Sequence, residues 1–274
     1  MIYKVIQPSI HLQSFVKDYL LLHYVFDKSE PTPIKPFPAN TQHCLVFYLR
    51  GNITAVDPKT GVSKVYPKTS INGSQISRFN FHLSPDYLMF SVNFQASALA
   101  KFLQLPLTGI VDERIDAGAI LNPEIEHLHE EMVNAVSYNS IVRMVEQYLW
   151  KRIQHLKSDF HPIEKVIQTI SDNPTCFSAE KMARMACLSI SQFERKFMQQ
   201  MGITPKFYAR INRFYNAYQI KDKNPGADWL SIALETGYHD YQHLVKDFKQ
   251  FSNTSPHDLL QAQANSPERI LGIA

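Results

Sequence analysis

The chain has 274 residues, 45% hydrophobic and 19% charged, with a net charge of +3. That length allows two domains, and the composition excludes a disordered or fibrous chain. Three cysteines, Cys44, Cys176 and Cys187, are too few and too dispersed for a disulfide framework, so a reducing, cytoplasmic setting is expected.

The opening MIYKVIQPSI lacks the basic stretch and apolar run of a secretory leader, so none is expected. The longest apolar run, Tyr19 to Phe26, is far short of the ~20 residues of a membrane helix. It reads as a buried strand or helix, and no membrane partner is expected. Residues 1 to about 95 predict strands. Cys44 to Leu49 is apolar and aromatic and stops at the turn signal Arg50-Gly51-Asn52. Tyr87 to Phe94 follows Ser84-Pro85-Asp86, with shorter pieces between, and prolines 31, 33, 36 and 38 mark an extended loop. This pattern predicts a β-barrel-like domain whose aromatics (Phe47, Tyr48, Phe79, Phe81, Phe90, Phe94) form the core, some lining a pocket.

From Ala96 the period becomes helical: Ala96 to Leu103, ended by Pro106, then stretches near 123–135 and 139–157. Beyond 158 short helices follow one another, the first opening at His161-Pro162 with proline in its first turn. The expected domains are 1–157 and 158–274.

The second of these contains an internal repeat. Phe193-Glu194-Arg195-Lys196-Phe197 matches Leu244-Val245-Lys246-Asp247-Phe248 at an offset of 51 residues. Gln199 matches Gln250, Gly202 matches Asn253, and Ile203-Thr204-Pro205 matches Thr254-Ser255-Pro256. Ala183 matches Ala233 at an offset of 50, so one copy has one more residue in its turn. Each copy has the layout of a helix-turn-helix. In copy one, Ser178 caps a helix with Met182, Met185 and Ala186 on one face. Leu188-Ser189 makes the turn, Cys187 before it is a buried apolar residue, and the second helix buries Ile190, Phe193 and Phe197. In copy two, Ile232 and Ala233 pack the first helix, Gly237 makes the turn, and Leu244, Phe248 and Phe251 are buried. Residues 205–221 read as one amphipathic helix between the copies.

The outward residues are Ser191, Gln192, Glu194, Arg195 and Lys196 in copy one, and Tyr241, Gln242, His243, Lys246 and Lys249 in copy two. A helix fits the major groove, where Arg195 can pair bidentately with guanine and Gln192 and Gln242 with adenine. Residues 181–221 hold eight basic residues and one acid, as phosphate neutralisation requires. Residues 222–274 hold four basic and seven acidic residues, so copy one should carry more of the affinity.

Ile232-Ala233, Gly237-Tyr238, Phe248-Lys249 and Ser255-Pro256 follow a family signature, and residues 160–262 resemble the DNA-binding domain of AraC-type (AraC/XylS) transcription regulators. Asn253 replaces the usual glycine, and Asp240-Tyr241 stands where small polar residues are common. The resemblance implies an α+β, two-domain chain. Its N-terminal part would be a barrel-like (cupin-like) sensor and dimerisation domain with helices. Its C-terminal part would be an all-α domain with two helix-turn-helix units on a long helix. Ser191, Gln192, Glu194, Arg195, Tyr241, Gln242, His243 and Lys246 would face DNA. Expected partners are double-stranded DNA, a small-molecule effector, a second copy of the chain and RNA polymerase; no cofactor or metal is expected.

A competing reading is an enzyme in the N-terminal domain, but His43, Cys44, His82 and Asp86 have no triad or metal spacing. His127 and His129, with Glu130, are two apart on a predicted helix and so diverge. His239 and His243 lack a third ligand. A third reading, helices that bind a protein partner, is disfavoured by the duplicated outward Arg and Gln pattern.

Overall fold

The computed structural model describes residues 1–121, 123–156 and 161–273. The expected boundary at 157/158 lies outside the described residues.

The N-terminal strands are β1 (Ile2–Ile6), β2 (Val16–Val25), β3 (Lys35–Phe37), β4 (Cys44–Arg50), β5 (Ile53–Val56), β6 (Ser63–Val65), β7 (Thr69–Asn72), β8 (Phe79–Leu83) and β9 (Asp86–Phe94). Helix α1 (Ala98–Leu103), strand β10 (Arg114–Asp116) and helices α2 (Gly118–Leu121), α3 (Pro123–Val133) and α4 (Tyr138–Ile153) follow. The strands form a six-stranded sheet, β1-β2-β9-β4-β7-β10, and a four-stranded sheet, β3-β8-β5-β6, both antiparallel. The sheets face each other without closing into one barrel.

The central strands β4 and β9 of the six-stranded sheet are buried on both faces, which explains why they read as continuous apolar runs. Side chains alternate across a strand. Thus Leu45, Phe47 and Leu49 of β4 and Leu88, Phe90, Val92 and Phe94 of β9 pack under the helices. Val46, Tyr48, Tyr87 and Met89 turn the other way, toward β5 and β8. The proline-marked loop is interrupted by β3, whose Pro36 is tolerated because β3 is an edge strand. Strand β10 was not legible, being only three residues long.

The C-terminal helices are α5 (Pro162–Asp172), α6 (Ala179–Met185), α7 (Ile190–Met201), α8 (Pro205–Lys223), α9 (Trp229–Glu235), α10 (Tyr241–Ser252), α11 (Pro256–Ala264) and α12 (Pro267–Ile270), with a 3₁₀ turn at Pro174–Cys176. They share one core, with Phe193, Phe197, Phe214, Phe248 and Phe251 fully buried. The two domains meet closely. Lys101 pairs with Glu164 at 3.0 Å, and Lys35 of β3 pairs with the buried Glu268 of α12. Leu271 and Ile273 pack against the core between the two sheets.

Candidate nucleic-acid interface

Both helix-turn-helix units are built by the same backbone devices. In copy one the Lys181 N–H donates to Ser178 Oγ, and α6 ends where Cys187 turns to φ 57°. The Leu188 N–H then donates to Ala183 O at 3.0 Å. Ser189 caps α7. In copy two Asp228 caps α9, Gly237 has φ 77°, the Tyr238 N–H donates to Ala233 O at 2.8 Å, and Asp240 caps α10. The extra residue in the second turn is His239. The pairing of Gly202 with Asn253 is conformational too: both end a helix in the left-handed region, at φ 77° and 55°.

Three expectations are corrected. Cys187 is exposed, because it is itself the left-handed turn residue, one position earlier than Leu188-Ser189. Ile190 is 43% exposed, because as the first residue of α7 it precedes the turn that faces the core. Met185 is also 43% exposed, so Met182, Ala183 and Ala186 form the buried face of α6.

All ten expected DNA-facing residues lie on α7 and α10. Ser191, Gln192, Glu194 and Arg195 are exposed, as are Gln242, His243, Lys246 and Lys249. Four of the ten have intramolecular duties. Gln192 Oε1 accepts from the Ser189 N–H at 3.1 Å in a capping box, so its carbonyl is engaged and its amide NH₂ is the part turned outward. Lys196 is half-buried, with Nζ 2.8 Å from His161 Nε2. Tyr241 is half-buried beside Trp229, which itself packs on Phe248. His243 is oriented by Asp240, its Nδ1 2.9 Å from Asp240 Oδ1. The hydrogen bond from the His243 N–H holds the Asp240 carboxyl below the usual range.

The basic surplus of copy one is smaller at the surface than in the sequence. Arg210 and Arg213 point inward to Asp247 of α10, at 2.5 and 3.4 Å, and the Tyr238 hydroxyl donates to the same carboxylate at 3.1 Å. Asp247 is only 4% exposed, and the Arg213 guanidinium lies 4.2 Å from the Tyr238 ring centre. Lys221 Nζ donates to the Pro225 and Ala227 carbonyls. These three cations fasten copy two to α8. Lys181, Arg184, Arg195 and Lys206 are the exposed cations that remain, and sequence alone cannot separate the two groups.

Elsewhere, His127 is exposed beside Glu131, whereas His129 is buried with Nε2 2.9 Å from Tyr48 O, so the two rings diverge. His43 contacts Ser74 Oγ at 3.0 Å, and Asp86 pairs with His23 and Arg50. Burial pushes the Cys44 thiol up, away from a reactive thiolate. Among the described residues no three His, Cys, Asp or Glu groups converge as a metal site.

Between the sheets lies a cavity of about 370 Å³. Leu22, Val46, Phe81 and Met89 form an apolar part of its wall, Lys35, Asn72, Gln75 and Arg114 a polar part, and Tyr218 and Glu268 of the C-terminal domain help to close it.

Residues 182–262 match the family model of a helix-turn-helix domain, and residues 4–116 match a domain of unknown function, DUF6597. The transcriptional regulator MtrA of Neisseria gonorrhoeae is 26% identical over 166 residues, covering 61% of this chain and 51% of that protein. The arabinose operon regulatory protein of Escherichia coli is 22% identical over 165 residues, covering 56% of this chain and 55% of that protein. The chain thus spans about half the length of these relatives. The structure of ToxT from Vibrio cholerae shares the fold, with a TM-score of 0.50 at 12% identity, covering 89% of this chain and 98% of that one. No described helix is long and apolar enough to cross a membrane. The chain thus carries a helix-turn-helix domain and is similar to DNA-binding transcription regulators of the AraC type.

Proposed function

We propose that α7 and α10 read two successive motifs in duplex DNA, and that a small molecule in the cavity between the sheets modulates that binding. The observation that carries the first part is the matched pair of turns and caps. It presents Ser191, Gln192, Glu194, Arg195 and Lys196 on one helix and Tyr241, Gln242, His243, Lys246 and Lys249 on the other. Arg195, exposed on α7, is the base-reading residue; Lys246 and Lys249 serve phosphates. The division of labour follows domains 1–157 and 158–274.

The effector reading rests on the cavity. It has an apolar wall and a polar, charged rim that includes Lys35, Arg114 and Glu268, and it is lined by both domains, so an occupant touches sensor and reader together. A ligand changes DNA affinity only if it prefers one arrangement of the two. Dimerisation is supported by β1, an edge strand with Tyr3 and Val5 exposed. A contact with RNA polymerase would use the exposed Leu230 and Leu234 of α9, and the setting for both is the cytoplasm.

The test is selection of binding sites from random duplex DNA with the full chain. Two short motifs about one helical turn apart are expected. Arg195→Ala should weaken the enriched site by about 1–3 kcal/mol and relax preference at one position. Failure to enrich any motif would refute the reading.

A further inference from the structure

The last four carbonyls of a helix have no partner within it. In both DNA-facing helices some of these carbonyls are taken by the N-terminal domain. At the end of α7 the Leu107 N–H donates to Gln199 O at 2.8 Å, and Ser74 Oγ donates to Met201 O at 2.9 Å. The fit is close, since a Cβ on Gly202 would come within 2.7 Å of Leu107 O. At the end of α10 the Ala39 N–H donates to Phe251 O at 3.1 Å, and Arg78 reaches Ser252 O at 3.5 Å.

The two docking points are one piece of structure. Asn40 and Gln75 exchange backbone hydrogen bonds of 2.9 and 2.8 Å, which ties the segment holding Ala39 to the segment holding Ser74. Asp112 Oδ1 accepts from the Ile76 and Ser77 amides and fixes the same segment toward Arg78. Asn40 and Gln75 also line the cavity between the sheets.

We propose that residues 38–40 and 73–78 form a positioning bridge that fixes α7 relative to α10, and so selects the spacing between the two DNA motifs. This rests on the reading of α7 and α10 as the DNA-reading pair. Asp247 already fastens α10 to α8 from within the C-terminal domain; the bridge adds a second, external constraint reached from the cavity wall. Ser74 and Arg78 are its positioning residues, touching helix ends and not DNA.

The experiment measures affinity of the full chain for its selected site and for that site with one base pair inserted between the motifs. The insertion rotates one motif against the other by about 34°. Wild type should lose at least tenfold on insertion. Ser74→Ala and Arg78→Ala should stay within a few-fold on the selected site and lose at least threefold less on insertion. Folded variants with the wild-type insertion penalty would overturn the proposal but leave the DNA-reading pair intact. A wild type that selects no site would overturn both. If the variants do not fold, hydrogen exchange of wild type decides: amides 39 and 107 should stay protected in the complex with the selected DNA, and loss of protection at both on binding overturns the bridge.

Discussion

Asp247 shows how much one side chain can organise. Its carboxylate takes hydrogen bonds from Arg210 and Tyr238 and an ion pair from Arg213, joining α8 to α10. Asp247→Asn leaves two partly buried guanidiniums without a counter-charge. Removing one partner of a fully buried pair costs more than 3 kcal/mol, and the arginines here are about a third exposed, so a loss of roughly 2 kcal/mol is expected in urea unfolding. His43 gives the pH dependence. Its Nε2–H donates to Ser74, and burial lowers its pKa from 6.5 to about 4. The unfolded chain then takes up the proton more readily than the folded one. Stability is complete above pH 6.5 and falls as the pH drops toward 4, by about 3 kcal/mol in all. Thermal melts of wild type and His43→Gln across that range check this: the glutamine variant should lack that part of the slope. Outward positions such as Arg195 and Gln242 were legible because their phenylalanine and leucine neighbours fix the inward face. Duties such as the Gln192 cap or the inward turn of Arg213 were not, since they depend on partners distant in sequence or on side-chain choice.

The duplicated element is where sequence and structure agree best, and the mismatch between copies is informative. Cys187 and Gly237 hold the same left-handed place in the two turns. A side chain there costs roughly 1–2 kcal/mol, which glycine avoids at some entropic expense. Cys187→Gly should therefore stabilise the chain, by about 0.5–1 kcal/mol in chemical denaturation. Gly237→Ala should do the opposite and more strongly, because the added Cβ would meet Thr175 Cγ2 at 2.7 Å in addition to the strained φ. If both substitutions shift stability alike, the two turns are not equivalent. The repeat is readable because caps and turn residues are local; the turn falls one residue before Leu188-Ser189 because Cys187, whose apolar character says nothing of its φ, takes the left-handed position.

For the whole molecule, hydropathy disclosed strands followed by helices but not how they assemble. The two-sided burial of β4 and β9 explains their apolar runs, yet the strand order and the addition of β10 after α1 depend on long-range pairing that no local period encodes. The domain contact was equally hidden, because its ion pairs, such as Lys101 with Glu164 and Lys35 with Glu268, and its backbone bonds join residues far apart in sequence. Net charge was misleading in the same way: it counted Arg210, Arg213 and Lys221, which are spent on internal contacts, with cations free to meet phosphate. The distinction can be measured. Each phosphate contact contributes to the fall of affinity with salt. Replacing Lys181 and Arg184 together by alanine should flatten the logarithmic salt slope by about two. Arg210→Ala should lower stability and leave the slope of the folded fraction unchanged. An equal change of slope from either substitution would mean that the Asp247 pairs open when DNA binds, and that the second helix-turn-helix docks anew on α8 in the complex.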